Sequence, residues 1–359
     1  MSEKVYTILV INPGSTSTKV AIFKDETLVI ENVVRHPTAE IEKFASIIDQ
    51  KGLRSENITK TLNEAGIALE ELDAVVGMGG LIKPLESGTY AINDAMVKDL
   101  NGPSAVIHAS CLGGLLAKEV GDKLGIPSFI VDPVVVDEFE ECSRISGNPL
   151  IPRRSAFHAL NQKATSRRYA KEIGKNYEDL RLVVGHLGGG ISIGAHKYGR
   201  VVDVFDAVAE GTFSPERCGG IPCYNIIEMC FSGKYTEKEL LGYQIGKGGF
   251  VGYLGTNDLR EVEKMINNGD EKAKLIFDAW VHQISKDIGA MCAVLDGDVD
   301  AIILTGGISY SEMLVNAVKK KVQRFAPVAV YPGEGEMLAL AEGALRVMTG
   351  ETQAKEYKG

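Results

Sequence analysis

The sequence predicts an α/β protein made of two related domains, each with a β-sheet flanked by helices. Short apolar runs typical of buried strands alternate along the chain with longer runs of helical spacing. At 359 residues the chain is also too long for one ordinary hydrophobic core. Two strand patterns of the first half recur in the same order in the second half, which indicates an internal duplication.

The first half begins with an apolar hairpin. Predicted strands at 5–11 and 20–23 flank a turn that contains Pro13 and Gly14. Further strands are predicted at 27–34, 72–80 and 127–131, and helices at 39–50, 109–124 and 155–173. For the last of these helices we expect Ser155 as N-cap and Gly174 just beyond the C-terminus.

The second half repeats this order. Residues 181–202 again read strand, glycine turn, strand, with His186 where Asn12 stood, and 299–308 echoes 72–81. Helices at 261–268 and 271–295 separate the two echoes, and a strand at 328–331 and a helix at 337–348 close the chain. We therefore expect an N-terminal domain over 1–155 and a second domain over 156–331, with the segment from about 332 to 359 folded back onto the first.

Charge and composition limit the partners. Lys and Arg number 39 and Asp and Glu 48, so the formal charge is −9 at pH 7 and any anion site must be local. No apolar run approaches the roughly 20 residues of a membrane-spanning helix, and no signal peptide opens the chain. We expect a cytoplasmic protein without nucleic-acid or membrane partners, whose six cysteines are buried free thiols.

The turn at 12–19, N-P-G-S-T-S-T-K, is a candidate phosphate site. Its glycine lets backbone N–H groups approach a ligand, and the hydroxyls of Ser15 and Ser17 and the ammonium of Lys19 stand beside it. A polar hairpin turn without a ligand is the alternative. If the turn at 12–19 does bind phosphate, it and the second turn, G-H-L-G-G-G at 185–190, could together hold a polyphosphate without a Walker motif.

Several charged residues are candidates for phosphoryl chemistry. Asp132 ends a buried strand, where α/β proteins place ligands, although it also suits a turn before proline. Glu334 and Glu336 precede the last helix, where the helix dipole alone would favour them. Carboxylate and phosphate oxygens suit Mg²⁺. Arg217 lies in a turn as a possible phosphate-binding fork, whereas His108 and His158 have apolar or small neighbours and could be core residues.

Nine segments together resemble the butyrate kinase branch of the acetate kinase family, which belongs to the actin-like phosphotransferases. The resemblance runs in order over essentially the whole chain, through I-N-P-G-S-T-S-T-K, G-G-L-I-K-P, H-A-S-C-L-G, F-I-V-D-P-V-V-V-D, F-H-A-L-N-Q-K, H-L-G-G-G-I-S-I, P-E-R-C-G, Y-L-G-T-N-D-L-R-E-V and L-T-G-G-I. It implies two ribonuclease H-like domains with ATP and substrate in the cleft between them. The implied reaction, with Mg²⁺, converts ATP and butyrate or a related short-chain carboxylate to ADP and an acyl phosphate.

The resemblance also implies roles for individual residues. The first phosphate turn would use Asn12, Ser15 and Ser17, and the second His186, Gly188, Gly189 and Gly190. Adenosine contacts would come from Asp258, Arg260, Gly306, Gly307 and Ile308. Mg²⁺ would be held by Asn12, Asp132 and Glu336, and the transferring phosphoryl group would be steadied by His158 and Arg217 as cations. Cleft residues near the acid would be Met78, Lys83, His108 and Phe157.

Three departures from the family pattern stand out, one of which is the spacing of the last glutamate pair, so that Glu334 is the alternative to Glu336 at the metal. Gly189 replaces the asparagine of the acetate kinase motif H-L-G-N-G, which favours the butyrate kinase branch, and Met78 replaces an arginine expected near the substrate carboxylate. By analogy we expect a homodimer or a higher homo-oligomer. The alternatives are a kinase for acetate, propionate or a sugar hydroxyl, or an ATP-binding protein that transfers nothing. A carboxylic acid is ionised at pH 7 and needs no general base, whereas a sugar hydroxyl does.

Overall fold

The computed structural model describes residues 4–102 and 108–359. The chain divides into two compact units: the first runs to Val136 and includes Gly335–Gly359, and the second is Asp137–Glu334. The sequence suggested boundaries at 155/156 and about 331/332 instead. In neither described range does a helix have the length and hydropathy of a membrane-spanning segment.

Strands and helices alternate through both units. The strands are β1 (Thr7–Pro13), β2 (Ser17–Lys24), β3 (Thr27–Arg35), β4 (Ala74–Gly77), β5 (Thr89–Ala91), β6 (Ser128–Val131), β7 (Arg181–Leu187), β8 (Ile191–Lys197), β9 (Arg200–Val204), β10 (Ala301–Gly306), β11 (Val328–Pro332) and β12 (Lys355–Glu356). The helices are α1 (Thr38–Ile41), α2 (Lys51–Ala65), α3 (Asp94–Leu100), α4 (Cys111–Leu124), α5 (Ala159–Glu172), α6 (Cys223–Phe231), α7 (Glu237–Gln244), α8 (Gly249–Leu254), α9 (Leu259–Asn267), α10 (Glu271–Val294), α11 (Glu312–Val322) and α12 (Glu336–Met348).

The first unit is built on a sheet of order β12-β5-β6-β4-β1-β2-β3. β1, β2 and β3 are antiparallel neighbours, while β4 runs parallel to β1 and β6 parallel to β4. Apolar side chains of β1 and β2 pack with those of α2 and α4. α12 packs on β1, β4 and β6, and its Gly343 is so close to β6 that a Cβ there would lie 2.5 Å from the Val131 Cγ2.

The second unit repeats this plan with a sheet of order β11-β10-β7-β8-β9. β7, β8 and β9 are antiparallel neighbours, and β10 and β11 continue the sheet in parallel, so the order matches β6-β4-β1-β2-β3. Asn12 and His186 are each the sixth residue of a seven-residue strand. The predicted repeat is thus present in the strand topology, and it places these two side chains at equivalent positions.

Two helix predictions are wrong in detail. In place of a helix over 39–50, the chain forms the short α1 and then α2, whose buried residues include Arg54 and Thr61 as well as Ile58 and Leu62. These polar residues on the buried face conceal its apolar period. α5 begins at Ala159 with His158 at the N-cap position, so Ser155 is not the cap. Gly174, with φ +68°, does follow the end of α5 as expected.

Candidate active site

The turn between β1 and β2 is held from beneath by Arg54, a residue that sequence reasoning missed. Arg54 is fully buried, and its Nη1 donates to the carbonyl oxygens of Gly14 and Ser17, both at 2.9 Å. Its Nη2 donates to the Ser15 carbonyl oxygen at 3.3 Å and to the Gln50 Oε1 at 2.9 Å. Burial lowers the pKa of this guanidinium. A buried cation therefore binds three backbone carbonyl groups of the turn from the interior of the unit.

Oxygen ligands lie at the carboxyl ends of two strands of the first sheet. The Asn12 Nδ2, near the end of β1, donates to the Glu336 Oε2 on the first residue of α12 at 2.7 Å. Asp132, directly after β6, is 1% exposed, has φ +37°, and accepts hydrogen bonds at Oδ1 from the Ser87 hydroxyl and the Gly88 N–H, each at 2.7 Å. These hard oxygen donors fit the chemistry of Mg²⁺.

A closed metal cage is not part of this arrangement. Across residues 4–102 and 108–359, no group of three or more His, Cys, Asp and Glu side chains could hold a metal ion. Mg²⁺ commonly keeps several water ligands and shares phosphate oxygens, with only one or two carboxylates from the protein. The oxygen donors present are therefore compatible with a nucleotide-bound ion.

Met78 lies beside the first turn because the backbone fixes it there. Its N–H donates to the Ile11 carbonyl oxygen at 2.9 Å. A Cβ on Gly113 of α4 would lie 2.5 Å from the Met78 carbonyl oxygen, so this close approach of helix and strand requires glycine. The Met78 side chain is half-buried. It therefore brings an apolar group to the position where the family pattern predicts a cation.

The other predicted pocket residues of the first unit are more exposed. The Lys83 side chain is exposed, and its backbone N–H donates to the Tyr357 hydroxyl at 3.1 Å. His108 is also exposed, with its Nδ1 2.7 Å from the Ser110 Oγ. The assignment of Lys83 and His108 to the acid pocket stays a prediction.

In the second unit two histidines form a stacked pair. The rings of His158 and His186 have centroids 3.8 Å apart and planes inclined by 10°. Burial, and then the charge of Arg217, lowers the pKa of His158 to about 4. Burial, and then His158, holds the pKa of His186 well below its ordinary value. Both rings are neutral at pH 7 in the free protein, so the expectation of a cationic His158 is corrected.

Side chains that sequence reasoning did not single out hold this pair in place. The His158 Nδ1 lies 2.9 Å from the Ser192 Oγ, and the His186 Nδ1 lies 2.7 Å from the Asn161 Oδ1. Both partners lie inside segments that carry the family resemblance, F-H-A-L-N-Q-K and H-L-G-G-G-I-S-I. For Ser192 the available signal was a polar residue between Ile191 and Ile193, whereas Asn161 is followed by two polar residues and gave no such signal.

Arg217 lies across the glycine turn between β7 and β8. Its Nη1 donates to the Ala207 carbonyl oxygen at 2.9 Å, and a Cβ on Gly190 would fall 2.4 Å from the same nitrogen. The Ser214 Oγ donates to the Gly189 carbonyl oxygen and accepts from the Arg217 N–H at 3.2 Å. Within the described part of the chain the Arg217 Nε has no hydrogen-bond partner. The structure thus brings a guanidinium, a glycine turn and the histidine pair together.

The end of β10 lies beside the glycine turn between β7 and β8. Thr305 is the register partner of His186, and Gly306 has φ +91° and so little space that a Cβ would lie 2.3 Å from the Leu187 carbonyl oxygen. Gly307 is exposed and Ile308 is half-buried. Only glycine satisfies both the backbone conformation and the close approach at 306.

The remaining predicted residues of this unit have local contacts. Asp258 caps α9 through the Arg260 N–H, and its carboxylate also accepts from the Arg260 Nε at 2.9 Å. This hydrogen bond lowers the pKa of Asp258 to about 2. Phe157, next to His158 in the chain, is 2% exposed. The adenosine contacts and the role of Phe157 stay predictions.

Known proteins share both the sequence and the fold. A family model described as the acetokinase family matches residues 147–332. The chain is 53% identical to a probable butyrate kinase of Clostridium botulinum, over 98% of this chain and 99% of the relative. It is equally 53% identical to butyrate kinase 1 of Clostridium acetobutylicum, over 99% of this chain and the whole relative.

A solved structure shows the same architecture. The crystal structure of acetate kinase from Porphyromonas gingivalis superposes with a TM-score of 0.75 over 97% of this chain and all of that one, at 22% identity. At that identity the likeness demonstrates the fold, which is the predicted actin-like one with two related α/β sheets. The family itself follows from the sequence matches: the chain belongs to the acetokinase family.

Proposed function

We propose that this protein is a carboxylate kinase that transfers the γ-phosphoryl group of ATP to butyrate or a related short- or branched-chain acid. A carboxylate oxygen forms a bond to the γ-phosphorus while the bond from that phosphorus to the ADP oxygen breaks, so that ADP and an acyl phosphate leave. The observation that carries this proposal is the Arg217 guanidinium fixed across the glycine turn beside two neutral histidines. The butyrate kinases to which the chain is 53% identical support the choice of acid.

The chemistry suits a site without a general base. The acid is already ionised at pH 7, so its oxygen attacks without losing a proton. What the protein must supply is positioning and neutralisation of the charge on the equatorial phosphoryl oxygens. Arg217 supplies positive charge, and the Gly188–Gly190 turn lets backbone groups approach a phosphate. The neutral state of His158 adds a hydrogen-bonding group without a second charge.

The first unit has residues suited to phosphate and metal contacts of its own. The turn from Asn12 to Lys19 would bind phosphate oxygens through its backbone and hydroxyl groups. Mg²⁺ that arrives with ATP would be held by Asn12, Asp132 and Glu336, and it would neutralise negative charge on the nucleotide. The contact between Asn12 and Glu336 supports the choice of Glu336 rather than Glu334. We propose the cytoplasm as the setting for this reaction.

Hydroxylamine trapping tests the activity directly. The purified protein is incubated with ATP, Mg²⁺, hydroxylamine and one acid at a time, from acetate through butyrate to branched valerates. We expect an acyl hydroxamate with butyrate or a near relative. A sugar kinase would give no hydroxamate with any acid, and an ATP-binding protein of conformational function would hydrolyse ATP slowly without an acceptor. Absence of product across the whole panel would contradict the proposal.

Met78→Arg probes the departure from the family pattern. If this position faces the substrate carboxylate, the new guanidinium should lower KM for the acid, since a hydrogen bond to a charged group contributes about 1.5–3 kcal/mol. Met78→Leu, which keeps an apolar side chain of similar size, is the matched control. KM is measured for butyrate at saturating ATP. An unchanged KM in Met78→Arg would show that the position is not a substrate anchor.

We also propose that the protein is a homodimer in solution, with α6 at the contact. No residue of α6 is buried, and Tyr224, Ile227 and Phe231 on one of its faces are 74%, 56% and 88% exposed. Exposed apolar patches commonly mark protein interfaces, and a twofold dimer would pair this face with its own copy.

Cys142, Cys223 and Cys230 are also exposed, so the expectation that all six thiols are buried is wrong.

Phe231→Asp tests this contact. A carboxylate in the middle of an apolar interface would be desolvated without a partner, so the variant should elute as a monomer. Leu275→Asp, at a 67% exposed position on α10 of the same unit, is the control and should leave the assembly unchanged. Molar mass is measured by size exclusion with light scattering. A wild type that is already monomeric, or a Phe231→Asp variant with unchanged mass, would exclude α6 as the interface.

A further inference from the structure

A chain of polar side chains runs from the histidine pair into the interior of the second unit. Along β8, Ile191, Ile193 and Ala195 belong to one hydrophobic core, so Ser192, Gly194 and His196 point to the opposite face. The Gln162 side chain, on α5, lies over Gly194: a Cβ there would be 2.9 Å from the Gln162 Oε1. The glycine in I-S-I-G-A-H therefore makes room for the glutamine between the serine and the histidine.

A backbone carbonyl fixes the orientation of the Gln162 amide. The Gln162 Nε2 lies 3.0 Å from the Ser192 carbonyl oxygen, which can only accept a hydrogen bond. The Oε1 therefore faces the His196 Nε2 at 2.9 Å, and that nitrogen must carry the proton. The His196 Nδ1 then accepts from the Tyr177 hydroxyl at 2.7 Å. These groups are all buried, so water does not compete for these hydrogen bonds.

The same logic sets the proton on His158. The Ser192 Oγ accepts from the Gln162 Nε2 at 2.9 Å and from the His158 backbone N–H at 3.4 Å, so both of its lone pairs are used and its own hydrogen is directed to another acceptor. That acceptor is the His158 Nδ1 at 2.9 Å. Since the ring is neutral and its Nδ1 accepts, its proton is on Nε2.

His186 has the opposite tautomer. The Asn161 Nδ2 donates to the carbonyl oxygen of Glu334, so the Asn161 Oδ1 is the atom that faces His186. The His186 Nδ1 therefore donates, and its Nε2 carries a lone pair. Of the two stacked rings, His158 offers an N–H at Nε2, which suits a phosphoryl oxygen, and His186 offers an acceptor.

We propose that Gln162, Ser192 and His196 are positioning residues that hold His158 as the Nε2–H tautomer, so that this ring donates a hydrogen bond to the transferring phosphoryl group. The inference rests on the proposed phosphoryl transfer for its functional meaning. Its structural content, the two opposite tautomers, is independent of substrate.

Nitrogen NMR measures the tautomers directly. The protein is labelled with [15N]histidine, and the ring signals of His158 and His186 are identified by their loss in His158→Gln and His186→Gln. At pH 7 we expect a protonated Nε2 and a bare Nδ1 for His158, and the reverse for His186. A protonated Nδ1 on His158 would overturn the proposal, whether or not the protein makes acyl phosphate.

Two serines of the second unit provide a matched pair of variants. Ser192→Ala removes the hydroxyl that donates to His158, whereas Ser285→Ala removes a hydroxyl on α10 that donates to the Val281 carbonyl oxygen. Loss of a positioned donor costs about 10²–10³-fold in kcat, and loss of the Nε2–H tautomer of His158 should cost about tenfold or more. We expect that fall for Ser192→Ala, with KM for ATP nearly unchanged, and wild-type kinetics for Ser285→Ala.

A third variant reverses the hydrogen-bond chain and covers a possible loss of stability in Ser192→Ala. In Gln162→Glu the donor to Ser192 becomes an acceptor, so the serine hydroxyl turns away from His158 and the His158 Nδ1 should gain the proton. The nitrogen spectrum should report this exchange. An unchanged His158 tautomer in Gln162→Glu, or an unchanged kcat in Ser192→Ala, would overturn the proposal. A folded wild type that forms no acyl phosphate would instead contradict the proposed function.

Discussion

Arg217→Ala should lower kcat for acyl phosphate formation by about 10³-fold or more, as for other arginines that stabilise phosphoryl-transfer charge. The guanidinium lies across the glycine turn, held through the Ala207 carbonyl oxygen, with its Nε lacking a protein partner in the described chain. Alanine removes the charge and the fork together. The measurement is steady-state hydroxamate formation at saturating ATP and butyrate.

Two further variants separate catalysis from folding. Arg324→Ala removes an exposed arginine from the same unit and should leave kcat unchanged. Gly190→Ala keeps Arg217 but places a methyl group 2.4 Å from its Nη1, so it should displace the guanidinium and also lower kcat. A fall of less than tenfold in Arg217→Ala, in a variant with normal thermal unfolding, would assign the arginine a structural role.

Arg54→Met should lower the free energy of unfolding by about 2–4 kcal/mol and raise KM for ATP. The fully buried guanidinium donates to three carbonyl oxygens of the turn between β1 and β2, and a partly buried acceptor left without a donor costs about 1–3 kcal/mol. Without this cation the carbonyl groups of Gly14, Ser15 and Ser17 have no common donor, so the turn should lose its shape. Urea unfolding and ATP titration of the rate measure the two effects.

Arg35→Met is the matched control for this prediction. Arg35 is exposed at the end of β3, where it is the register partner of Ser17. Its substitution by methionine therefore removes the same charge near the same turn. Its unfolding free energy and KM for ATP should stay close to wild type. Arg54→Lys should be intermediate, because one ammonium group cannot reach all the acceptors of the guanidinium. Equal effects of Arg54→Met and Arg35→Met would show that net charge matters rather than the buried contacts.

Local sequence patterns were sufficient for most of the fold. The hairpins β1–β2 and β7–β8 are apolar runs around glycine turns, and their hydrogen bonding needs only neighbours in the chain. The helix α10 was predicted almost to the residue because its apolar spacing is long and uninterrupted. The helix α2 was missed because Arg54 is buried among its apolar residues, and nothing in the local pattern shows what an arginine would contact there.

The candidate site was likewise predicted only in part from local sequence patterns. The resemblance identified the glycine turns, Arg217 and the histidines, since those motifs are contiguous in the chain. The resemblance implied that His158 is a cation, and the structure corrects this. The charge of a histidine at pH 7 depends on its burial, which a sequence motif does not report. The partners that orient the rings, Asn161 and Ser192, lie 25 and 34 positions from His186 and His158.

The amino-acid sequence was sufficient to identify the family, the repeated strand order and both candidate phosphate turns, because each depends on short stretches whose residue types are specific. The side chains that support those turns, and their protonation states, became apparent only from the tertiary structure. Arg54 reaches the first turn from a helix that begins more than 30 residues later, and the neutrality and opposite tautomers of His158 and His186 come from packing of α5 against β7 and β8. Desolvation and hydrogen-bond direction are properties of the folded environment, so they appear only when distant segments meet.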